Sequence, residues 1–363
     1  MHAGRLRKID RLVLGKKVKD MVFSRFARFE RKIFFKKNRL IAVLILLAVI
    51  GIGGYWWKVH SGPSVAPLTA ETVKAGLPHY LYTIDGRNNS YNPANSGNSL
   101  KGPLAVAVSA DRVFVADTGH SQVQVYSRNG KWAATWGKGK LNYPFALTFS
   151  NNMLYVADSN LMELFVFDAK GNEQKPLLNK QRLTLTTGKQ GEIIRPTAVQ
   201  VGMDNLIYVA DVGNQVVIVM DASGKILRYF GGSGTTDGKF QYPNALDVGK
   251  NGKVYVSDSN NGRIQIFDQK GQFLYKITGS QGKNGPLALP RGLAVTDSGF
   301  IFVVDVFLHS VRAFDEAGYE LWTFGGNGSG NGQFNFPNGL CLDNEGRIYV
   351  TDRENNRVQV YGY

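Results

Sequence analysis

From residue 79 onward, apolar positions fall in short runs separated by Gly, Asn and Asp. The clearest stretch is 243–279. Its β-branched and aromatic runs at 244–248, 253–257, 263–267 and 273–278 are divided by Asn251-Gly252, Asn260-Asn261-Gly262 and Lys270-Gly271. Such dipeptides favour tight hairpin turns, so the stretch predicts a four-stranded antiparallel meander. A sheet that small, apolar on both faces, needs neighbours of its own kind to bury it.

The chain supplies those neighbours. A proline opens each unit (Pro103, Pro144, Pro196, Pro243, Pro290, Pro337), and an aspartate ends each second strand (Asp117, Asp158, Asp211, Asp258, Asp305, Asp352). Successive aspartates lie 41, 53, 47, 47 and 47 residues apart. Four strands at a period in the forties read as propeller blades, and the absence of helical periodicity excludes helical solenoids. The sixth unit, 337–363, stops after three strands, while an unassigned strand, HYLYTI at 79–84, precedes the first. The expectation is an all-β, six-bladed propeller whose ring is closed by that N-terminal strand. Closure hides the sheet edges of an open array.

In the second unit the pattern breaks. Residues 183–187 are expected to form its outer strand and 172–181 an inserted excursion, within an irregular stretch at 172–192.

The runs DSNNGRIQIFD at 258–268 and DRENNRVQVY at 352–361, with the loop GGNGSGNGQFNFP at 325–337, resemble NHL repeats. The resemblance covers residues 79–363 and implies a six-bladed propeller. It implies less about activity, because one fold carries many unrelated sites. Some NHL-like rings are metal-dependent lyases, related six-bladed rings are calcium-dependent hydrolases or lactonases, and others bind RNA.

Charge changes the picture at the N-terminus. The chain carries 43 basic and 28 acidic residues, of which 14 and 3 lie in 1–39, so that arm holds +11 and the rest only +4. A near-neutral ring argues against RNA. Val22, Phe26, Phe29 and Ile33 fall on one helical face of the arm, as in a basic amphipathic helix on an anionic inner leaflet; a disordered basic tail is the alternative. Residues 40–57 are uncharged and span about 27 Å as a helix, near the hydrocarbon thickness of a bilayer. Basic residues precede this stretch and Tyr55, Trp56 and Trp57 end it, so it reads as an uncleaved signal anchor, N-terminus inside. A cleavable signal peptide is disfavoured by Pro67 following Ala66 and by Leu68 at −3 from the other candidate site. Residues 58–78 form the linker, and 79–363 the propeller outside the cytoplasm.

Among candidate sites, the six repeated aspartates read as turn-forming groups, since a catalytic centre would differ between blades. Glycine-rich loops at 231–239 and 325–332 lack phosphate-loop spacing and are connectors. His79, His120 and His309 are dispersed, unlike a zinc ligand set, and Cys341, the single cysteine, reads as a buried small hydrophobe. Calcium, which takes Asn and Asp oxygens, stays open; no other cofactor is expected. The residue after each opening proline does differ by blade: Leu104, Phe145, Thr197, Asn244, Arg291 and Asn338. Thr197, Asn244, Arg291 and Asn338, with Asp247 nearby, form a polar arc expected at the channel mouth, where Arg291 would take a small anion or peptide carboxylate. A solvated rim is the plain alternative. The sequence therefore points to a membrane-anchored binding or scaffold module, with a calcium-dependent hydrolase or lyase as the competing reading.

Overall fold

The computed structural model describes residues 77–86 and 99–363. The basic arm 1–39, the expected span 40–57, the linker up to residue 76 and the loop 87–98 lie outside the described residues. Among the described residues, no helix is long and apolar enough to cross a membrane.

Six four-stranded sheets form six blades, each running antiparallel from an inner first strand to an outer fourth. Blade 4 is representative: Pro243–Val248, Val254–Asp258, Arg263–Phe267 and Phe273–Ile277. Blade 6 takes Pro337–Leu342, Arg347–Asp352 and Arg357–Gly362 from the end of the chain and His79–Ile84 from the beginning. Ile84 pairs with Val358 and His79 with Gly362, with a bulge between Tyr80 and Tyr82. The ring closes as the orphan strand predicts.

The second strands pair on both sides and are apolar on both faces, as in IYVAD at Ile207–Asp211, fully buried. Their side chains fill six apolar clusters, one between each pair of neighbouring blades. Val113, Val115, Tyr126, Tyr349, Val358 and Ile84 make up part of the cluster between blades 6 and 1, where the chain ends meet. Arg128 adds a polar staple there. It pairs with Asp343, donates to Ser109 O at 2.6 Å and lies 5.6 Å from the Tyr349 ring centre.

Blade 2 differs from expectation. Its outer strand is Leu178–Asn179, paired with Glu163 and Leu164 and extended by a bridge from Glu173 to Phe167. Residues 183–187 do not supply it. Leu183 belongs instead to a separate hairpin, Arg182–Thr184 against Gln190–Ile193, standing between blades 2 and 3. Lys170 and Gly171 turn the chain straight into the outer strand, so the insertion follows that strand.

Candidate functional site

Each blade turns from its second to its third strand through the same five-residue device. The residue four after the aspartate is left-handed in all six blades: Ser121, Met162, Gln215, Gly262, His309 and Asn356. The six aspartates are fully buried. Their carboxylates reach back to the loop entering the blade: Asp117 accepts from Lys101 N (2.7 Å), Asp258 from Gln241 N (2.7 Å) and Asp352 from Asn335 N (2.7 Å). Asp158, Asp211 and Asp305 accept from Asn142, Arg195 and Ala288 in the same way. Only Asp158 and Asp211 also accept backbone N–H groups of their own turn. In blades 4 and 6 a buried arginine completes the set: Arg263 Nε and Arg357 Nε each lie 2.7 Å from the carboxylate. These groups fasten each blade to the loop that enters it and leave none of the six carboxylates free for chemistry.

Of the residues after the opening prolines, Leu104, Phe145, Thr197, Asn244 and Asn338 are buried and Arg291 is half-buried. Thr197 Oγ1 donates to Pro243 O at 2.7 Å, joining blades 3 and 4. Asn338 Nδ2 donates to Leu104 O at 2.8 Å, joining blades 6 and 1. Hydroxyls one residue after the aspartates do the same work elsewhere, as in Thr118 to Pro144 O (2.7 Å) and Ser259 to Pro290 O (2.5 Å). These donors were not singled out in the sequence, where a Ser or Thr after an aspartate reads only as turn chemistry. Asn244 is buried, and its amide nitrogen makes no hydrogen bond.

The six inner strands enclose a cavity of about 260 Å³. One side is polar: Thr148 donates to Gln200 Oε1 (2.6 Å), Gln200 Nε2 to Asp247 Oδ1 (2.7 Å), and Val295 N to Asp247 Oδ2 (2.7 Å). Asp247 thus links blades 3, 4 and 5. Burial pushes its carboxyl above the ordinary range, outweighing the N–H donors from Val295, Gln200 and Val248. Cys341 is on the inner strand that borders the same cavity and is half-buried, packed at the margin of the apolar cluster between blades 6 and 1 and not fully buried as expected. Burial also pushes its thiol up, so it is a poor nucleophile.

Arg291 is the exception among the candidates. It is half-buried, its Nη1 donates to Asn338 Oδ1 at 2.7 Å, and its Nε is buried without a partner. Among the described residues no carboxylate forms an ion pair with it. Desolvation, and then the neighbouring Arg353, lower its pKa. A partly desolvated guanidinium beside a second one is an arrangement that an anion would relieve.

The donors here do not fit calcium, which takes six to eight oxygens. Asp247 is the only carboxylate lining the cavity and both its oxygens already accept N–H groups, while Asn338 Oδ1 is engaged by a cation. Among the described residues no three His, Cys, Asp or Glu side chains cluster as a metal site would require.

This ring is a six-bladed β-propeller, and it carries NHL repeats: the NHL repeat family profile matches residues 100–126, 240–267 and 334–361. Those segments lie in blades 1, 4 and 6. They are the blades with His or Asn three residues after the aspartate, Gln or Arg at five and Gln at seven, as in Asp258, Asn261, Arg263 and Gln265. Blades 2, 3 and 5 break that set, with Leu161, Val216 and Leu308 among the replacements.

No curated relative matches the chain. Among solved structures, a gluconolactonase of Xanthomonas campestris is similar over 81% of this chain and 92% of its own, at 15% identity and a TM-score of 0.59. Virginiamycin B lyase of Staphylococcus aureus is similar over 78% and 98%, at 14% identity and 0.52. A chain of a nidogen–laminin complex is similar over 62% and 81%, at 15% and 0.51. At such identities the likeness is one of fold.

Proposed function

We propose that the protein is a binding module, anchored in a membrane through residues 40–57 with its propeller outside the cytoplasm, that takes an anionic group at the channel mouth. The anchor rests on the uncharged 40–57 stretch and its basic flank. The observation that carries the binding site is Arg291: a half-buried cation with an unpartnered Nε, a second guanidinium nearby and no carboxylate opposite. Arg291 borders the cavity through Asn338, which lines it, and the cavity's volume of about 260 Å³ lies below the roughly 300–1,000 Å³ of sites that engulf drug-sized ligands, so the site takes a small anion or the terminal carboxylate of a peptide.

Binding of short peptides with a free C-terminus, against the same peptides amidated, tests this on the full chain in nanodiscs. Free acids are expected to bind at least about tenfold tighter, equivalent to about 1.4 kcal/mol, and Arg291→Gln to abolish the difference. Equal binding of acid and amide would sink the reading.

One observation favours a second reading, a hydrolase or lyase. Asp247 is a carboxyl with a raised pKa facing the cavity, as a general base would be. A turnover lost in Asp247→Asn would establish it.

A further inference from the structure

The insertion between blades 2 and 3 forms a small sheet of its own. Its hairpin, Arg182–Thr184 against Gln190–Ile193, is pinned at several points. Leu183 and Ile194 are buried in the cluster between the two blades. Thr186 N donates to Tyr229 Oη at 2.8 Å, and Glu192 N to Asn214 Oδ1 at 2.8 Å. The hairpin therefore stands as a fixed wall.

Beneath it lies the outer strand of blade 3, Ile226–Gly231, which pairs on one side with Val216–Met220 and on the other with no strand among the described residues. Wall and strand bound a cleft of about 560 Å³, roughly twice the channel, lined by Leu183, Thr184, Ile226, Leu227 and Tyr229. Leu227 sits at the bulge of the strand and is 45% exposed. An open edge beside a cleft with apolar positions for alternate side chains is how a sheet accepts an added strand.

The charge at the cleft selects the partner: Lys225 and Arg228 line it, Lys180 and Arg182 flank the lining residue Gln181, and no carboxylate lines it. Residues 170–195 hold six cations (Lys170, Lys175, Lys180, Arg182, Lys189, Arg195) and two acids (Glu173, Glu192), a balance of +4. That equals the whole excess of residues 40–363, so the remainder of that span is neutral. None of the six cations forms an ion pair among the described residues, whereas Glu173 is already paired with Lys140. The chain's own arm at 1–39 carries +11 and would be repelled.

We propose that this cleft is a docking site for an extended acidic peptide segment of a partner protein, added as a strand to the edge of Ile226–Gly231 beneath the hairpin. Main-chain hydrogen bonds supply affinity, alternate apolar side chains enter against Leu183 and Tyr229, and the outward acids meet the hairpin cations. The site is separate from Arg291.

The test uses the full chain in nanodiscs and a fluorescent decamer alternating Glu or Asp with Val or Leu. Controls are the same decamer with lysine for each acid, one with a central proline, and an unstructured oligothymidine. The acidic decamer is expected to bind, to weaken with salt, and to slow amide exchange at 226–231. The triple charge reversal Lys180→Glu, Arg182→Glu, Lys189→Glu, all exposed, is expected to weaken it at least tenfold without lowering the unfolding midpoint, and Arg291→Gln to leave it unchanged. Equal binding of acidic and lysine decamers, tolerance of the proline, no protection at 226–231, or displacement of the decamer by oligothymidine at equal concentration would each overturn the proposal.

Discussion

A single residue type at one position meets several different local needs in this ring. The aspartate ending each second strand is always buried and always accepts the N–H of the incoming loop, but its second partner is His120 in blade 1, Asn214 in blade 3 and Arg263 in blade 4. Its uniformity was legible in the sequence. Its reach to the loop sixteen or seventeen residues earlier was not, because nothing local marks that contact. Asp247 is the contrary case, a carboxyl that occurs in one blade only. Replacing it with Ala leaves the N–H groups of Val295, Val248 and Gln200 without an acceptor and is expected to cost about 1–3 kcal/mol in urea unfolding. Its titration adds a signature. Because burial raises its pKa, the folded chain holds the proton more tightly than the unfolded chain. That contribution is fully present below the unfolded carboxyl value of about 4 and is lost as pH rises through the folded value. Stability of the wild type relative to Asp247→Asn should therefore fall with rising pH across this window; a difference that rose or stayed flat would contradict the assignment. Asp211 shifts the same way and cancels in the comparison.

Among the elements, those carried by regular repetition were readable: the strands of blade 4, the six opening prolines and the closing strand at 79–84. The outer strand of blade 2 was not. Leu178–Asn179 is short, follows Pro176 and has no alternation to mark it, whereas 183–187 alternates well but belongs to the hairpin. Pattern finds a strand and cannot tell which sheet receives it. Packing between elements leaves subtler traces. Two residues after the opening proline, four blades have Ala (Ala105, Ala146, Ala198, Ala245) and two have Gly (Gly292, Gly339). The glycines are there for room. A Cβ on Gly339 would stand 2.4 Å from Leu104 O and 2.8 Å from Ala105 Cα, both backbone atoms of the next blade. Gly339→Ala is therefore expected to push blade 6 from blade 1 and destabilise the ring by about 1–3 kcal/mol, measured by denaturant unfolding. Ala245→Gly, at the equivalent position without that close approach, should not disturb the seam; equal effects of the two changes would show that proximity is not the reason.

For the molecule as a whole, the informative quantity is where its charge lies. A total of +15 suggests a polyanion partner until it is divided: +11 in 1–39, +4 in 170–195 and a balanced remainder. The first block flanks the uncharged 40–57 stretch and underlies the proposed inside-to-outside orientation; the second includes the hairpin that walls one cleft. The proposed orientation makes a direct prediction, and the chain provides its own control. Cys341 is its only cysteine, half-buried against the cluster between blades 6 and 1 with its thiol held protonated by burial, so the folded wild type should resist maleimide. Thr187 is exposed between the two strands of the hairpin and is none of the Asp or Pro positions that recur from blade to blade. A Thr187→Cys variant in intact cells should react with a membrane-impermeant maleimide to the same extent as after lysis if the propeller lies outside. Labelling only after lysis would place the ring in the cytoplasm, contradict the proposed topology, and return intracellular polyanions to consideration as partners of the 170–195 cations.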